Sequence, residues 1–342
     1  MNAPVSLLSI FSKLHMKDQL VTKKILKWYD LNKRSLPWRN NVTFQKRQYY
    51  TLVSEFMLQQ TQVVTVIPYF NRFIKDIPNL KALSKVQNKK LLKIWEGLGY
   101  YSRARNLKKT AQKIIKNFNG KLPDNFEDLI SLPGIGNYTA NAILSIAFDK
   151  PYIPLDGNIE RVLKRYLYLK RKNETSKENL IEKKSVFGLS QRSSDYTQAL
   201  MELGALICKP KNPLCNKCPI SENCKSFKKK DFNLTKDIKK KNIEKYFILK
   251  VYKKDQRYLL VKNTKFNFLK NLRIFPMEEL TKPKKFNENL NFKMSNMNMN
   301  IKIQYLRNNK KIPSSYWIDQ RELKNYMLPT FTKKIVRYLE KN

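Results

Sequence analysis

From about residue 17 to residue 226 the apolar positions recur at helical spacing, broken by short Pro/Gly-marked loops and almost without strand-like alternation. This stretch predicts an all-α domain. Leu20, Ile25, Leu26 and Tyr29 follow directly on Met16, so residues 1–16 read as a loose N-terminal tail, with Met16 as an alternative start. Residues 227–244 are polar, Lys-rich and poor in large apolar groups, the composition of a linker. Beyond them the period changes to two. Tyr246–Tyr252 and Tyr258–Val261 flank Lys253-Lys254-Asp255-Gln256 as a hairpin, and Ile301–Leu306 is a further strand. Phe331, Ile335, Val336 and Leu339 mark a final amphipathic helix. A smaller α+β domain is therefore predicted over 245–342.

Inside the helical stretch, Asp124-Asn125-Phe126-Glu127 predicts a capped helix through Leu129 and Ile130, ending at Leu132-Pro133-Gly134-Ile135-Gly136. A second helix begins near Asn137, with small residues Ala140, Ala142, Ser145 and Ala147 that allow close packing. Two glycines around one apolar residue can turn backbone amides outward to hold a phosphate, or can simply make a tight turn with φ > 0. The residues alone leave both open. Cys208, Cys215, Cys218 and Cys224 are the only cysteines, spaced Cys-x6-Cys-x2-Cys-x5-Cys. The chain is long enough to bury a core without disulfide staples, so metal ligation outranks disulfides. One compact loop with a single x2 step suits a 4Fe-4S cluster, with a zinc site as the alternative.

The charge narrows the partner. Lys+Arg 69 against Asp+Glu 27 gives +42, which repels itself in isolation and is compensated by phosphates. Arg103 and Arg105, after a Gly-rich turn, are candidate phosphate contacts. No apolar run reaches transmembrane length, and the segment from Val5 to Phe11 lacks a basic n-region and a cleavage site, so a cytoplasmic, membrane-free protein is expected.

The hairpin, then Leu155-Asp156-Gly157-Asn158 opening the next helix, then the four-cysteine loop resemble, in that order, the helix-hairpin-helix DNA glycosylases of the endonuclease III superfamily. The segments Val53-Ser54-Glu55-Phe56-Met57-Leu58-Gln59-Gln60-Thr61-Gln62-Val63 and Gly97-Leu98-Gly99-Tyr100-Tyr101-Ser102-Arg103-Ala104-Arg105-Asn106-Leu107 resemble one branch, the adenine glycosylases of the MutY family. The likeness covers about residues 20–226 and, more weakly, the C-terminal domain. It implies a helix-hairpin-helix domain with an iron–sulfur loop over 17–226 and a Nudix-like domain over 245–342. It also implies a monomer acting on duplex DNA that carries adenine opposite 8-oxoguanine or guanine.

Residue by residue, the resemblance makes Glu55 the acid that protonates adenine, a role that demands a raised pKa. Unaided, Glu55 would share a solvated helix face with Thr51, Gln59 and Gln62. Asp156 is the carboxylate that stabilises the sugar cation, and it also suits the N-cap of the helix from Ile159 to Leu167. Asn158 is its polar neighbour. Tyr138 stands where strand-cutting relatives carry the Schiff-base lysine, which implies a monofunctional enzyme. Gln60 and Tyr100 match stack-inserting positions, with Gln59, Thr61, Leu132, Gly134 and Gly136 as further DNA contacts.

In the C-terminal domain, Phe275-Pro276 and Leu328-Pro329-Thr330 fit the Nudix-like pattern, and no Glu-rich hydrolase motif is present. Glycines expected before Phe-Pro are replaced in Phe268-Leu269-Lys270-Asn271-Leu272-Arg273, and the expected Phe-Ser-His recognition turn reads Met294-Ser295-Asn296. The only histidine is His15, so no other imidazole is at hand. Two rival functions are a glycosylase for another mismatched base and a non-catalytic iron–sulfur or zinc DNA-binding protein.

Overall fold

The computed structural model describes residues 7–40, 42–234, 242–281, 286–307, 312 and 315–341. In chain order it runs α1 (Leu7–Asn32), α2 (Phe44–Leu58), α3 (Val63–Asp76), α4 (Leu80–Lys85), α5 (Asn88–Ile94), α6 (Ser102–Asn117), α7 (Phe126–Ile130) and α8 (Asn137–Phe148). Then follow α9 (Gly157–Leu167), α10 (Lys177–Lys183), α11 (Ser193–Glu202) and α12 (Lys225–Lys228). The C-terminal part holds β1 (Ile243–Val251), β2 (Lys253–Lys254), β3 (Arg257–Lys262), β4 (Arg273–Ile274), β5 (Met277–Leu280), β6 (Leu290–Met294), β7 (Met297–Tyr305), β8 (Ser315–Asp319) and α13 (Thr330–Leu339). The all-α reading up to residue 226 therefore holds among the described residues. The expected tail overlaps a helix: among the described residues α1 already covers residues 7–16.

The chain forms two compact units, residues 1–85 with 106–236 and residues 86–105 with 237–342. In the first, α1 (Val21, Ile25, Tyr29), α9 (Ile159, Val162, Leu163, Tyr166) and α11 (Tyr196, Ala199, Leu200) share a buried cluster. There α2 packs against α8, whose Ala140, Ala142 and Ala147 are fully buried and leave the room a close crossing needs. Asn125 caps α7 by accepting from the Asp128 N–H.

The second unit differs from the expected domain by including residues 86–105. Polar bonds explain it: the Glu96 carboxylate accepts from the Leu328 N–H at 3.0 Å and pairs with Lys333 at 2.9 Å. Its strands form a sheet ordered β5-β1-β7-β6, with β1 and β7 parallel, and a second ordered β2-β3-β4, with β8 on β3. Phe247, Leu249, Tyr258, Ile301, Phe331 and Ile335 sit in its core. The expected hairpin is smaller than its pattern: β2 and β3 pair around Asp255-Gln256, whereas β1 lies in the other sheet. Both edges of β1 are already taken, by β5 and β7, so β3 finds no free edge there. Of the expected 227–244 linker, residues 235–241 lie outside the described residues.

Candidate active site

Helix α2 carries Glu55, and almost every side chain from Tyr49 to Met57 on it is buried. Glu55 is 5% exposed, so the solvated face expected from its residues alone does not exist. The helix also ends at Leu58, which removes Gln59 and Gln62 from the Glu55 face. Burial pushes the Glu55 carboxyl up to about 7, against the downward pull of a hydrogen bond from Tyr138 and of the Arg39 charge; the Asp156 charge adds to the rise.

Asp156 caps α9 through a 2.6 Å bond from the Ile159 N–H, and its second oxygen accepts from Asn158 Nδ2 at 2.9 Å. Burial raises its pKa, partly offset by these bonds. The cap and the placement beside Glu55 coexist in one carboxylate. Tyr138, in the first turn of α8, hydrogen-bonds Glu55, and burial together with the Glu55 and Asp156 charges raises its own pKa. Three titratable groups from α2, α8 and the N-terminus of α9 thus converge, and one is poised to hold a proton near neutrality.

Sequence reasoning missed the side chains that hold this centre. Glu202, fully buried on α11, accepts from Arg34 at 2.7 and 3.0 Å and from Arg39 at 2.7 Å. A lone carboxylate in the apolar run Ala199-Leu200-Met201-Glu202-Leu203 was the available signal. On the α2 face that holds Thr51, a cavity of about 440 Å³ is lined by Trp38, Arg39, Arg47 and Thr51. Arg161 donates to Asn158 Oδ1 at 2.8 Å, to the Gly204 carbonyl at 2.7 Å and to the Cys208 carbonyl at 2.7 Å, joining the α9 N-terminus to the cysteine loop. A Cβ on Gly204 would lie 2.6 Å from Asn158 Cβ, so only glycine fits there.

In the hairpin, Gly134 has φ +83, and a Cβ on it would come within 2.9 Å of both Phe56 and Asn106. Gly136 has ordinary backbone angles and faces open space, and no side chain caps the helix N-terminus it begins. Leu132 is corrected as a DNA contact: it is buried, and its N–H and C=O are both used inside the turn. Gln59 donates weakly to the Gly134 carbonyl, Thr61 is half-buried, and Gln60 is exposed with φ +57. A bulky residue held left-handed costs about 1–3 kcal/mol and clusters at working sites.

The four cysteines are free, half-buried thiols, three of them against the α1/α9/α11 core. Burial, and then the neighbouring thiols, push Cys218 up to about 12. Arg165 braces the loop by donating to the Cys208 and Lys209 carbonyls and to Pro210, with Cys208 Sγ at 3.4 Å. Among the described residues no three His, Cys, Asp or Glu side chains converge on one metal-ion position. Four soft thiols that sense one another, with cationic side chains behind them, remain a donor set suited to zinc or an iron–sulfur cluster.

In the second unit a cavity of about 680 Å³ brings together Tyr100, Arg105, Leu269, Ser295 and Asn296. Ser295 and Asn296 are the two-residue tip between β6 and β7, with Ser295 at φ +57. The missing glycines are accommodated because Leu269 and Asn271 themselves take φ +50 and +63, a conformation that asparagine tolerates. Arg105 is half-buried and reaches the Lys270 carbonyl. Arg103 is corrected as a phosphate contact: it is 6% exposed and bonded to the carbonyls of Leu98 and Gly99.

A hairpin with an uncapped helix behind it, a buried acid and a second carboxylate at a helix start define a helix-hairpin-helix base-excision glycosylase. Residues 53–185 match the HhH-GPD superfamily base excision DNA repair protein model. The fold matches a thermostable thymine-DNA glycosylase with TM-score 0.56 and 27% identity, over 63% of this chain and 98% of that one. The adenine DNA glycosylase of Buchnera aphidicola subsp. Baizongia pistaciae is 37% identical over 93% of this chain and 96% of its own. That of Buchnera aphidicola subsp. Schizaphis graminum is 40% identical over 76% of each. The chain belongs to the adenine DNA glycosylase family.

Proposed function

We propose that this enzyme hydrolyses the N-glycosidic bond of adenine opposite 8-oxoguanine or guanine without cutting the strand. Adenine leaves poorly as an anion, so a proton must reach a ring nitrogen as the bond breaks. Glu55, buried against Tyr138 and beside Asp156, is the observation on which the reading rests: burial pushes its carboxyl up to about 7, so that it can carry that proton at neutral pH. The bonding pair departs with adenine, Asp156 faces the sugar cation, and water adds its hydroxyl at the anomeric carbon while its proton returns to the Glu55 carboxylate. Tyr138 orients Glu55 and, as a phenol, forms no Schiff base.

Cys208, Cys215, Cys218 and Cys224 would hold a 4Fe-4S cluster, which supplies a structural staple and holds the lysines of its loop near phosphate. Gln60 and Tyr100 would fill the gap left by a flipped base, and Ser295 and Asn296 would read the opposite base in a Nudix-like unit. The enzyme would act as a cytoplasmic monomer; among the described residues no helix is long and apolar enough to cross a membrane. The test is the free base released from a panel of mismatched duplexes, with borohydride trapping alongside. Adenine release with weak trapping is expected; release of thymine, or trapping as strong as a lysine-dependent lyase, would reject the reading.

A further inference from the structure

Among the described residues Arg103, Lys164 and Arg165 are the buried cations, and Arg103 alone of them lies in the first turn of a helix, α6. A cation at a helix N-terminus opposes the helix dipole, so the position is unfavourable unless the guanidinium does something there. Its Nη2 donates to the carbonyls of Leu98 at 3.1 Å and Gly99 at 3.2 Å. Its guanidinium carbon, Cζ, lies over the rings of Trp95, 5.6 Å from the centroid, and Tyr100, 5.4 Å from it. Trp95 Nε1 completes the clamp by donating to the same Gly99 carbonyl at 3.1 Å. Burial lowers the Arg103 pKa to about 10, so the group stays charged at neutral pH. Above this clamp Tyr100 is half exposed and held at φ +45, a left-handed backbone that a tyrosine adopts only when its surroundings impose it.

We propose that Arg103 is a positioning residue: it fixes the left-handed backbone of Gly99 and Tyr100 and thereby presents the Tyr100 ring, preformed, at the cavity it shares with Ser295 and Asn296. The proposal rests on the reading of Tyr100 as a residue that inserts into the duplex. Lysine could keep the charge at 103 but not the planar group that serves two carbonyls and two rings at once.

The experiment is a double-variant cycle of Arg103→Lys and Tyr100→Ala. Affinities for an A:8-oxoguanine duplex and for the fully paired duplex are measured over a salt series, with thermal unfolding in parallel. Arg103→Lys should lower the ratio of mismatched to paired affinity about tenfold, leave the salt slope unchanged, and cost nothing further in the Tyr100→Ala background. In Arg103→Gln, which removes the charge, a slope reduced by about one would return Arg103 to the phosphate contacts and overturn the proposal. So would a loss that adds fully to that of Tyr100→Ala, which marks a general fold role. If Tyr100→Ala itself leaves the ratio unchanged, the insertion reading fails and the proposal with it; an unchanged ratio in Arg103→Lys alone sinks only the proposal. Arg103→Gln, planar and able to serve one carbonyl, runs the same cycle if the lysine variant does not fold.

Discussion

A single proton on Glu55 links chemistry to stability. Its carboxyl titrates from 4.5 in a solvated setting and at about 7 in the folded chain, so between those values only the native state keeps the proton. The folded state therefore loses stability as pH rises through that window, by an upper bound of about 3 kcal/mol. Glu55→Gln removes that loss: its melting temperature should exceed that of the wild type at pH 8 and match it at pH 4. An advantage that does not grow between those pH values would mean that the acid is not buried as described. The same variant should bind duplex normally and release almost no adenine, and wild-type release should decline above about pH 7. Asn296 makes a separate prediction. Its side chain is shorter than the histidine expected at this tip, and a good base contact is worth about 1–3 kcal/mol. Asn296→His should therefore raise the ratio of adenine release from A:8-oxoguanine over A:G duplexes in single-turnover assays; an unchanged ratio would place the discrimination elsewhere.

The hairpin between α7 and α8 separates its two glycines by function. Gly134 is required by the fold, since its φ of +83 and the 2.9 Å approach to Phe56 and Asn106 both exclude a side chain. Gly134→Ala should cost about 1–3 kcal/mol in denaturant unfolding and shift α2, which carries Glu55. Gly136 has no such need, with extended angles and open space around it. Gly136→Ala should leave stability within about 0.5 kcal/mol while weakening DNA binding, because a methyl group would obstruct phosphate approach to the uncapped helix. Equal affinity in that variant would reduce the hairpin to a tight turn, the other reading its residues allow.

Across the whole molecule, a net charge of +42 makes affinity steeply salt-dependent, and the cysteine loop adds Lys209, Lys211 and Lys217 to that surface. Cys218→Ala should yield protein with little iron, poor folding and weak duplex affinity. Stoichiometric zinc without acid-labile sulfide in anaerobically prepared wild-type protein would identify the metal as zinc instead. Arg161 and Arg165 carry this dependence inward, since both bond to the Cys208 carbonyl and Arg161 also holds Asn158.

Local patterns were enough to locate the helices, the hairpin, the four thiols and Asp156 as a helix cap, because periodicity, capping and ligand spacing are written within a few residues of one another; Glu55 was singled out only by the family resemblance. Burial is not written there. The Glu55 position looked solvent-facing from its own helix, and only the packing of α8 and α3 against α2, with Tyr138 and Asp156 close by, enclosed it and raised its pKa. The same holds for Arg103 and Leu132, which share motifs with DNA-contacting residues but point inward, and for Glu202, whose two arginines lie more than 160 residues away in the chain. The small hairpin at β2 and β3 follows the same rule: the alternation specified strands, and competition for the edges of β1 decided which strands paired. Sequence determines what each segment can be; desolvation and neighbouring charge, which depend on distant segments, decide what its side chains do.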